Sequence, residues 1–288
     1  DLITIWLNEH PNVESFIIID DETTHLKRFV GKQLIKTSIL EDGVMLKNMD
    51  DCMGLCEDHI PIAIKKLKQH NIKVLADIVL NHKMGADETE DVLAIEDDAK
   101  DRNVSISAAK PIRVWTKYNF DGRGNVYSDF KWNWTHFHGV DWDENTGTAA
   151  IYKFYGKHWD ENVDKENGNF DYLMGADIDL NNYDVIKELK TWGKWYLKTT
   201  NVDGFRLDAV KHIRAEFYPD WLEDLRQESD KKLFAVGEYW SSNIDTINNY
   251  IEKTNGCMSL FDVPLHYNFY RASVSNGNYN MSQIFNGT

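Results

Sequence analysis

The sequence predicts an α/β fold in which helices alternate with the strands of a parallel sheet. Three observations support this class. Helical apolar spacing alternates with short apolar runs from about residue 57 onward, polar residues directly follow several of those runs, and a long segment in between lacks helical periodicity. A chain of 288 residues is also long enough to bury a substantial core.

The first clear helix–strand unit begins near residue 57. Ile60, Ile64 and Leu67 recur at helical spacing, and residues 72–80 then form a nearly continuous apolar run. Such a run is typical of a strand that is buried on both faces of a parallel sheet. Residues 1–56 carry little periodicity, and within them only residues 15–20 suggest a strand.

The alternation resumes after residue 182. The predicted elements are, in order, a helix through residues 185–196, a strand at 202–207, a helix through 221–225, a strand at 234–236, a helix at 244–251 and a strand at 260–263. Residues 83–182 are rich in Trp, Tyr, Asp, Asn and Gly, and so long a segment cannot be a single loop. We therefore predict an irregular, β-rich subdomain inserted into the parallel sheet.

The positions of the polar residues favour a closed barrel over an open sheet. Asn81 and His82, Asp208 and Glu238 each follow a predicted strand. In a β/α barrel these C-terminal strand ends carry the chemistry, whereas an open doubly wound sheet requires a glycine-rich phosphate loop after its first strand. The sequence has no such loop, because residues 122–124 lack the third glycine and do not open a helix.

Composition limits the class of partner. Lys and Arg number 32 and Asp and Glu 47, for a net charge of −15, which disfavours nucleic acid and anionic membranes. A neutral or cationic ligand, or a metal ion, is a better match. No apolar run approaches the ~18–20 residues of a membrane span, so we expect no membrane association and leave the compartment open between secreted and cytoplasmic. The 10 tryptophans can stack on sugar rings or fill a core.

Two strand ends carry candidate catalytic carboxylates. Arg206 and Asp208 alternate with apolar neighbours and point to the same side of their strand, and a guanidinium favours the ionised carboxylate that a nucleophile requires. Glu238 ends the next strand beside Tyr239 and Trp240. One ionised and one protonated carboxyl group on neighbouring strand ends is the arrangement of retaining glycosidic cleavage. The alternatives are a structural ion pair and a solvent-facing glutamate.

Two further segments carry oxygen atoms suited to a hard cation. Asn81 offers an amide oxygen to a hard cation, and His82 can hydrogen-bond a substrate hydroxyl. Asp171, Asp177 and Asp179 are closely spaced carboxylates that repel one another without a cation, and oxygen ligands favour Ca²⁺. The alternatives are ordinary turn chemistry and a solvated acidic loop.

These motifs resemble the signature regions of the α-amylases, glycoside hydrolase family 13. The first three signature regions correspond to residues 77–82, 204–212 and 236–240; the insertion resembles domain B of the liquefying bacterial type at 127–132 and 166–174; and residues 261–267 add a further match. The resemblance extends from about residue 57 to residue 288. It implies a (β/α)8 TIM-type barrel, incomplete in this chain, with domain B inserted after the third barrel strand.

The resemblance also implies domain boundaries. Residues 1–56 would be a poorly matching N-terminal part of the barrel, residues 57–82 its third strand, residues 83–182 domain B, and residues 183–288 the fourth to sixth strands. The remainder of the barrel has no counterpart among these residues.

Carried over residue by residue, the resemblance implies specific roles. Asp208 would be the nucleophile, Glu238 the acid/base, and Arg206 the residue that fixes Asp208. The implied substrate-binding residues are His82, Lys211, His212, Trp240 and Asp77, of which Asp77 also supports the arginine. The implied Ca²⁺ ligands are Asn81, Asp171, Asp177 and the backbone carbonyl of His212, with Asp160 and Asp179 as further candidates.

Three departures from the family pattern bear on these expectations. The third catalytic carboxylate, in an Asn-His-Asp motif on a later strand, has no counterpart in the 288 residues, and residues 1–56 do not match the opening strands. His138 and Asn181 stand where the liquefying subtype places metal-binding aspartates, which argues against a second metal. We therefore expect hydrolysis by this chain to be impaired.

We expect a monomer that cleaves internal α-1,4-glucosidic bonds of starch, glycogen or maltooligosaccharides with retention of configuration. One alternative is an inactive or non-catalytic glucan-binding relative, or a gene fragment. Reducing-sugar release from soluble starch separates that alternative from an amylase. Another alternative is a different glycosidase or transglycosylase of family 13.

Overall fold

The computed structural model describes residues 18–20, 34–36, 40–41, 44–45, 59–229 and 232–288. The chain divides into two compact units. The first contains Asp1–Leu75 and Tyr196–Asp203, and the second contains Ala76–Trp195 and Gly204–Thr288. All of the predicted site residues lie in the second unit.

The described residues of the first unit include short strands, one whole helix and the C-terminal end of a later helix. Its elements are β1 (Ile18–Asp20), parallel to β2 (Leu34–Lys36), β3 (Leu40–Glu41), antiparallel to β4 (Val44–Met45), and α1 (His59–Gln69). The strand predicted at residues 15–20 overlaps β1, and the remaining expectation for residues 1–56 lies mostly outside the described residues. The periodicity around Ile64 correctly predicts α1.

The remaining elements follow in chain order. They are β5 (Leu75–Ile78), β6 (His82–Lys83), β7 (Glu88–Asp97), β8 (Lys110–Lys117), β9 (Phe137–Asp143), β10 (Thr148–Phe154), β11 (Ala176–Ile178), α2 (Tyr183–Thr200), β12 (Gly204–Leu207), α3 (Phe217–Glu228), β13 (Phe234–Gly237), α4 (Ile244–Lys253), β14 (Ser259–Leu260) and α5 (Val263–Val274). The helix–strand alternation predicted after residue 182 is confirmed.

Four of these strands form one sheet, in the order β14-β13-β12-β5. The pairs β12–β13 and β13–β14 are parallel. Asp203 N donates to Val74 O at 2.7 Å and Asp208 N donates to Ile78 O at 2.9 Å, so β5 and β12 also run in the same direction. The predicted order of adjacent parallel strands is therefore correct.

The last predicted strand is shorter than expected. The apolar run suggested residues 260–263, but β14 ends at Leu260 and α5 begins at Val263. The side chain of Asp262 accepts a hydrogen bond from Leu265 N at 3.0 Å, and Pro264 lies in the first turn. Asp at the N-cap followed by proline is a helix start, and this signal overrides the apolar run.

The insertion contains a six-stranded sheet with the order β6-β11-β9-β10-β7-β8. The prediction of a β-rich segment is correct, but this sheet is more regular than expected. In β8, Ile112, Val114 and Thr116 are buried while Arg113 and Trp115 are exposed. That alternation is typical of a half-buried antiparallel strand.

The C-terminal ends of β5, β12 and β13 are fixed to one another by backbone hydrogen bonds. Besides the bond from Asp208 to Ile78, Glu238 N donates to Leu207 O at 2.8 Å and Val210 N donates to Glu238 O at 3.1 Å. These bonds place Asp208 and Glu238 side by side at one edge of the sheet, where the side chains of a β/α protein carry its chemistry.

Candidate active site and acidic cluster

Arg206 is at the centre of the polar group at this edge. Its neighbours Phe205 and Leu207 are fully buried, so the alternation of β12 turns Arg206 to the opposite face. The guanidinium contacts three carboxylates. Nη1 contacts Asp208 Oδ1 and lies 2.7 Å from Asp77 Oδ1, and Nη2 lies 2.8 Å from Glu238 Oε2.

This arrangement keeps both predicted catalytic carboxylates at fixed positions. One guanidinium bonds Asp208 through Nη1 and Glu238 through Nη2, so their oxygens lie within the span of a single planar group. Burial alone would lower the pKa of Arg206, but its hydrogen bonds to Asp77 and Asp208 outweigh burial and raise it. Three carboxyl groups around one guanidinium form an acidic group that could stabilise positive charge developing on a bound molecule.

The backbone after Asp208 is held in an uncommon conformation. Ala209 has φ of 52°, in the left-handed region that non-glycine residues seldom adopt. Its N–H points to Glu238 Oε2 at 3.4 Å. Such strained residues concentrate at functional sites, where the surrounding structure holds them in place.

The predicted substrate-binding residues lie around this group. His82 Nδ1 is buried and has no hydrogen-bond partner among the described residues, and burial lowers the pKa of His82. Lys211 Nζ lies 2.7 Å from Glu166 Oε2 and 3.4 Å from Trp240 O. The indole of Trp240 is exposed, and its Nε1 donates to Tyr267 Oη at 3.1 Å. These side chains leave polar atoms and one aromatic face available at the strand ends.

Two contacts to the insertion were not predicted from the sequence. The Tyr239 hydroxyl donates to Asp164 Oδ2, and Asp164 N donates to Lys211 O at 2.9 Å. Together with the Lys211–Glu166 ion pair, they tie residues 164–166 to the segments that follow β12 and β13. No local sequence pattern joins residues this far apart, so only the folded structure shows the link.

A buried acidic cluster lies beside this region, and His138 is at its centre. His138 Nδ1 lies 3.0 Å from both Asp171 Oδ2 and Asp177 Oδ2, and Nε2 lies 3.0 Å from Asp179 Oδ1. Asp160 N donates to Asp171 Oδ2 at 2.8 Å. All five side chains are buried, so the sequence-predicted residues Asp160, Asp171, Asp177 and Asp179 come together.

The aspartates of the cluster outnumber the cationic side chains that contact them. Burial alone would lower the pKa of His138, but its hydrogen bonds to the surrounding aspartates raise it well above the ordinary value. Burial and the charge of Asp171 raise the pKa of Asp160 to about 6 and that of Asp177 well above its ordinary range. Raised pKa values show that these carboxyl groups repel one another when ionised. A bound cation would stabilise their ionised forms.

Most of the predicted metal ligands lie in or next to the acidic cluster. Asn81 Nδ2 lies 3.5 Å from Asp177 Oδ1, and the His212 ring contacts Phe170 O at 2.6 Å, next to Asp171. Ligand atoms of His138, Asp160 and Asp171 all lie within 4.8 Å of one another. The cluster is therefore a group that could hold a metal ion.

An exposed pair of tryptophans in the insertion was also missed. Trp115 on β8 and Trp142 on β9 are 45% and 41% exposed. Both indole Nε1 atoms donate to Glu144 Oε2, at 3.0 and 2.9 Å, and these bonds lower the pKa of Glu144. Two rigid indole faces held by one carboxylate form a platform for an apolar ligand face. The alternation of β8 is the sequence signal that could have placed Trp115 on the surface.

Comparisons with known proteins agree with this site. The family model described as α-amylase, catalytic domain, matches residues 47–286. An α-amylase of Geobacillus stearothermophilus is 56% identical over 228 residues, covering 78% of this chain and 42% of the relative. An α-amylase of Bacillus licheniformis is 52% identical over 226 residues, covering 78% and 44%. A glucan 1,4-α-maltohexaosidase of Bacillus sp. strain 707 is 52% identical over 229 residues, with the same coverage, 78% and 44%.

The chain belongs to the α-amylase catalytic-domain family, as its motifs predicted. The predicted fold class is confirmed: a TIM-type barrel, incomplete in this chain, with a β-rich insertion. The chain spans less than half the length of the curated relatives it matches.

Proposed function

We propose that the protein cleaves internal α-1,4-glucosidic bonds of starch-type glucans by a retaining double displacement. The observation that carries this proposal is the bonding of Asp208 and Glu238 to the two nitrogens of one guanidinium. In a retaining pair the two carboxyl groups lie roughly 5–5.5 Å apart, one acting as nucleophile and the other as acid and then base. Asp208, which contacts Arg206, is the nucleophile, and Glu238 is the acid/base.

The other site residues receive roles that their positions support. Asp77 fixes Arg206 from β5, and His82 offers an unpartnered buried nitrogen to a sugar hydroxyl. Trp240, which is exposed, binds a further glucose unit at the rim. Lys211 and His212 are buried and contact Glu166 and Phe170 O, so their proposed sugar contacts require local rearrangement. We assign residues 57–82 and 183–288 to the barrel and 83–182 to domain B, with residues 1–56 as its N-terminal part.

We propose that the acidic cluster holds Ca²⁺. Asn81, Asp171, Asp177 and the backbone carbonyl of His212 would be its ligands, with Asp160 and Asp179 as further candidates. Oxygen donors from separate segments, buried and mutually repelling, suit a hard cation, and bound Ca²⁺ supplies the positive charge that they lack. His138 already occupies the space between three of these aspartates, which supports one Ca²⁺ rather than two.

The substrate class follows from the charge and surface of the chain. A net charge of −15 disfavours anionic ligands, and starch, glycogen and maltooligosaccharides are neutral. The tryptophan pair held by Glu144 would stack on sugar rings of a long chain. No helix of the described residues combines the length and apolar composition that crossing a membrane requires. We propose a monomer that is either secreted or cytoplasmic.

The test compares Asp208→Asn and Glu238→Gln with the unmodified chain. Both variants preserve side-chain shape, so we expect the fold to persist while the rate of reducing-sugar release from soluble starch falls by about a thousandfold or more. Asp220→Asn, an exposed surface ion-pair residue, is the control and should leave the rate unchanged. If Asp208→Asn retained full activity, Asp208 would not be the nucleophile. Binding of starch without hydrolysis would instead indicate a non-catalytic glucan-binding relative.

A further inference from the structure

Lys83 is a half-buried lysine to which the proposed mechanism gives no role. It follows His82 in β6, and the alternation of a strand turns the two side chains to opposite faces. Burial lowers the pKa of His82 and the charge of Asp208 opposes that shift, so His82 lies near the catalytic group. The side chain of Lys83 instead lies among residues of the insertion.

Three aromatic rings lie against the ammonium group of Lys83. Its Nζ is 4.8 Å from the ring centroid of Tyr118, 4.9 Å from that of Trp132 and 5.4 Å from that of Phe120. Tyr118 and Trp132 come from two segments that bond through their backbones, with Tyr118 N donating to Trp132 O at 3.1 Å. We call these three rings the Lys83 cage. Aromatic faces attract a cation, most strongly where water is excluded.

The Lys83 cage takes the place of a carboxylate partner. Within the part of the chain that the structure describes, Lys83 makes no salt bridge with an Asp or Glu side chain. Burial lowers the pKa of Lys83 to about 8, and the charges of Glu188 and Arg123 act on it in opposite directions. The group is therefore mostly protonated at pH 7, and the cage holds a cation.

Strand β6 has few backbone contacts to fix its position. It contains two residues and lies at the end of its sheet, where its neighbour is β11. In that pairing Ala176 lies opposite Lys83, and Asp177 lies opposite His82. Because so short an edge strand forms few hydrogen bonds, a side chain that is held in the insertion contributes strongly to its position. The same side chain then fixes the imidazole on the other face of the strand.

We propose that Lys83 is a positioning residue: its ammonium group, held in the Lys83 cage, fixes β6 so that the His82 imidazole is presented to a glucose unit. This role rests on the proposed function, because it acts through His82 as a substrate-binding residue. Removal of the charge would leave the rings in place but loosen β6. A displacement of about 1 Å at a substrate contact can lower the rate up to ~100-fold, so even a small shift of the strand is measurable.

The test is a double-mutant cycle between Lys83 and His82 in the 288-residue chain. Calorimetry measures maltoheptaose binding in the Glu238→Gln background, and kcat/KM for maltoheptaose is measured in the Glu238-containing chain. Lys83→Met has a similar length and an apolar thioether that packs on aromatic rings, but it lacks the charge. We expect Lys83→Met and His82→Ala each to raise the dissociation constant about tenfold, and the double variant to bind no more weakly than His82→Ala alone.

Matched variants test the charge and the rings separately. Lys83→Arg keeps a cation that stacks on aromatic faces and should bind within about threefold of the parent. Tyr118→Phe keeps the ring and loses a hydroxyl that has no hydrogen-bond partner among the described residues, so it should bind like the parent. Lys110→Met is the control, because Lys110 Nζ also lies over a ring, 5.1 Å from that of Tyr152, but at the opposite end of β8 from Tyr118. Thermal unfolding checks that each variant is folded.

The outcomes separate this proposal from the catalytic one. Additive effects of Lys83→Met and His82→Ala, or a Lys83→Arg variant as weak as Lys83→Met, would overturn the positioning role, since a general structural defect does not depend on His82 or on charge. Coupled effects on binding in a chain that does not hydrolyse starch would support this role and contradict the proposed catalytic function. Hydrolysis with additive effects would leave the catalytic proposal standing and overturn this one. Absence of maltoheptaose binding by the Glu238→Gln parent would contradict both.

Discussion

At the scale of single residues, the site depends on which way alternating side chains point. The pattern of Arg206 and Asp208 between apolar neighbours predicts that both share one face, and the structure places their side chains in contact. The pattern could not show that Glu238 and Asp77 bond the same guanidinium, because those contacts cross from one strand to another. The alternation of the strand therefore predicts the direction of the side chains, the family resemblance supplies Asp77 as a partner of Arg206, and the Glu238 contact emerges only from the structure.

His138 shows the same limit more clearly. The sequence identifies it only as a histidine at a position where an aspartate was expected. In the structure its two ring nitrogens lie 3.0 Å from oxygens of three aspartates within residues 171–179. The imidazole therefore cross-links β9 to residues 171–179, a role that depends on tertiary packing.

His212 gives a prediction on pH dependence. Burial lowers its pKa from 6.5 to about 4, although the hydrogen bond to Phe170 O opposes the shift. The unfolded chain then binds more protons than the folded chain between these values, so stability falls as the pH drops from about 6.5 towards 4. We expect the wild type to lose about 2–3 kcal/mol more than His212→Asn between pH 7 and pH 4.5.

Urea unfolding of both proteins at the two pH values measures this difference. The substitution leaves the backbone carbonyl of residue 212 in place, so the proposed Ca²⁺ ligand is not removed. Equal losses in the two proteins would show that His212 does not titrate as a buried neutral group.

At the scale of elements, regular patterns were predictable and local exceptions were not. The apolar runs located the parallel strands β5, β12 and β13, because strands buried on both faces have few polar positions. The last predicted strand is shorter than expected because the Asp262 cap and the following proline favour the start of a helix more strongly than the short apolar run favours a strand. The sheet of the insertion was harder to predict because its pairings, such as β7 with β10, depend on contacts between distant segments.

A substitution at Gly139 tests how closely β9 and β10 approach each other in that sheet. It lies on β9 opposite Lys153 of β10, and a Cβ at this position would be 2.3 Å from Tyr152 O and 2.8 Å from the Trp159 ring. Because a backbone carbonyl cannot move without disturbing the strand pair, Gly139→Ala should lower the free energy of unfolding by about 2–3 kcal/mol. Chemical denaturation gives this value.

Gly122→Ala is the matched control for that substitution. Gly122 also lies in the insertion, but a Cβ there meets no atom within 4 Å and its φ is not positive. We expect its unfolding free energy to stay within about 0.5 kcal/mol of the parent. If Gly139→Ala were as stable as Gly122→Ala, the close approach of β9 and β10 would be wrong.

At the scale of the whole molecule, the second unit combines a parallel sheet and an antiparallel sheet through contacts at the strand ends. The Tyr239–Asp164 hydrogen bond, the Lys211–Glu166 ion pair and the Asn81–Asp177 contact all join the insertion to segments that follow parallel strands. The sequence motifs identified the family and named most of these residues. They could not show that the insertion contributes Asp164 and Glu166 to the same region.

The proposed Ca²⁺ links the same two parts, so its removal should affect the stability of the protein. Binding of an ion to the folded state alone stabilises it by about 2.7 kcal/mol when the free ion is at a hundred times its dissociation constant. We expect excess chelator to lower the Tm by several degrees, and re-addition of Ca²⁺ to restore it. Differential scanning calorimetry measures the shift.

Asp177→Asn is the companion variant for the calcium experiment. It retains the shape of the side chain but removes the charge of a fully buried candidate ligand. Its Tm should be insensitive to chelator, whereas that of the surface variant Asp220→Asn should respond like the wild type. A wild-type Tm that is unchanged by chelator would contradict the proposed Ca²⁺ site.

The most direct test of the catalytic assignment is covalent trapping of the glycosyl–enzyme intermediate. A fluorinated maltosyl fluoride that forms this intermediate faster than water releases it should add one maltosyl unit to the protein, and peptide mass spectrometry locates the unit. The account predicts that the label is an ester on Asp208, and that Asp208→Asn acquires none. A label on any other residue, or cleavage of starch with inversion at the anomeric carbon, would contradict it.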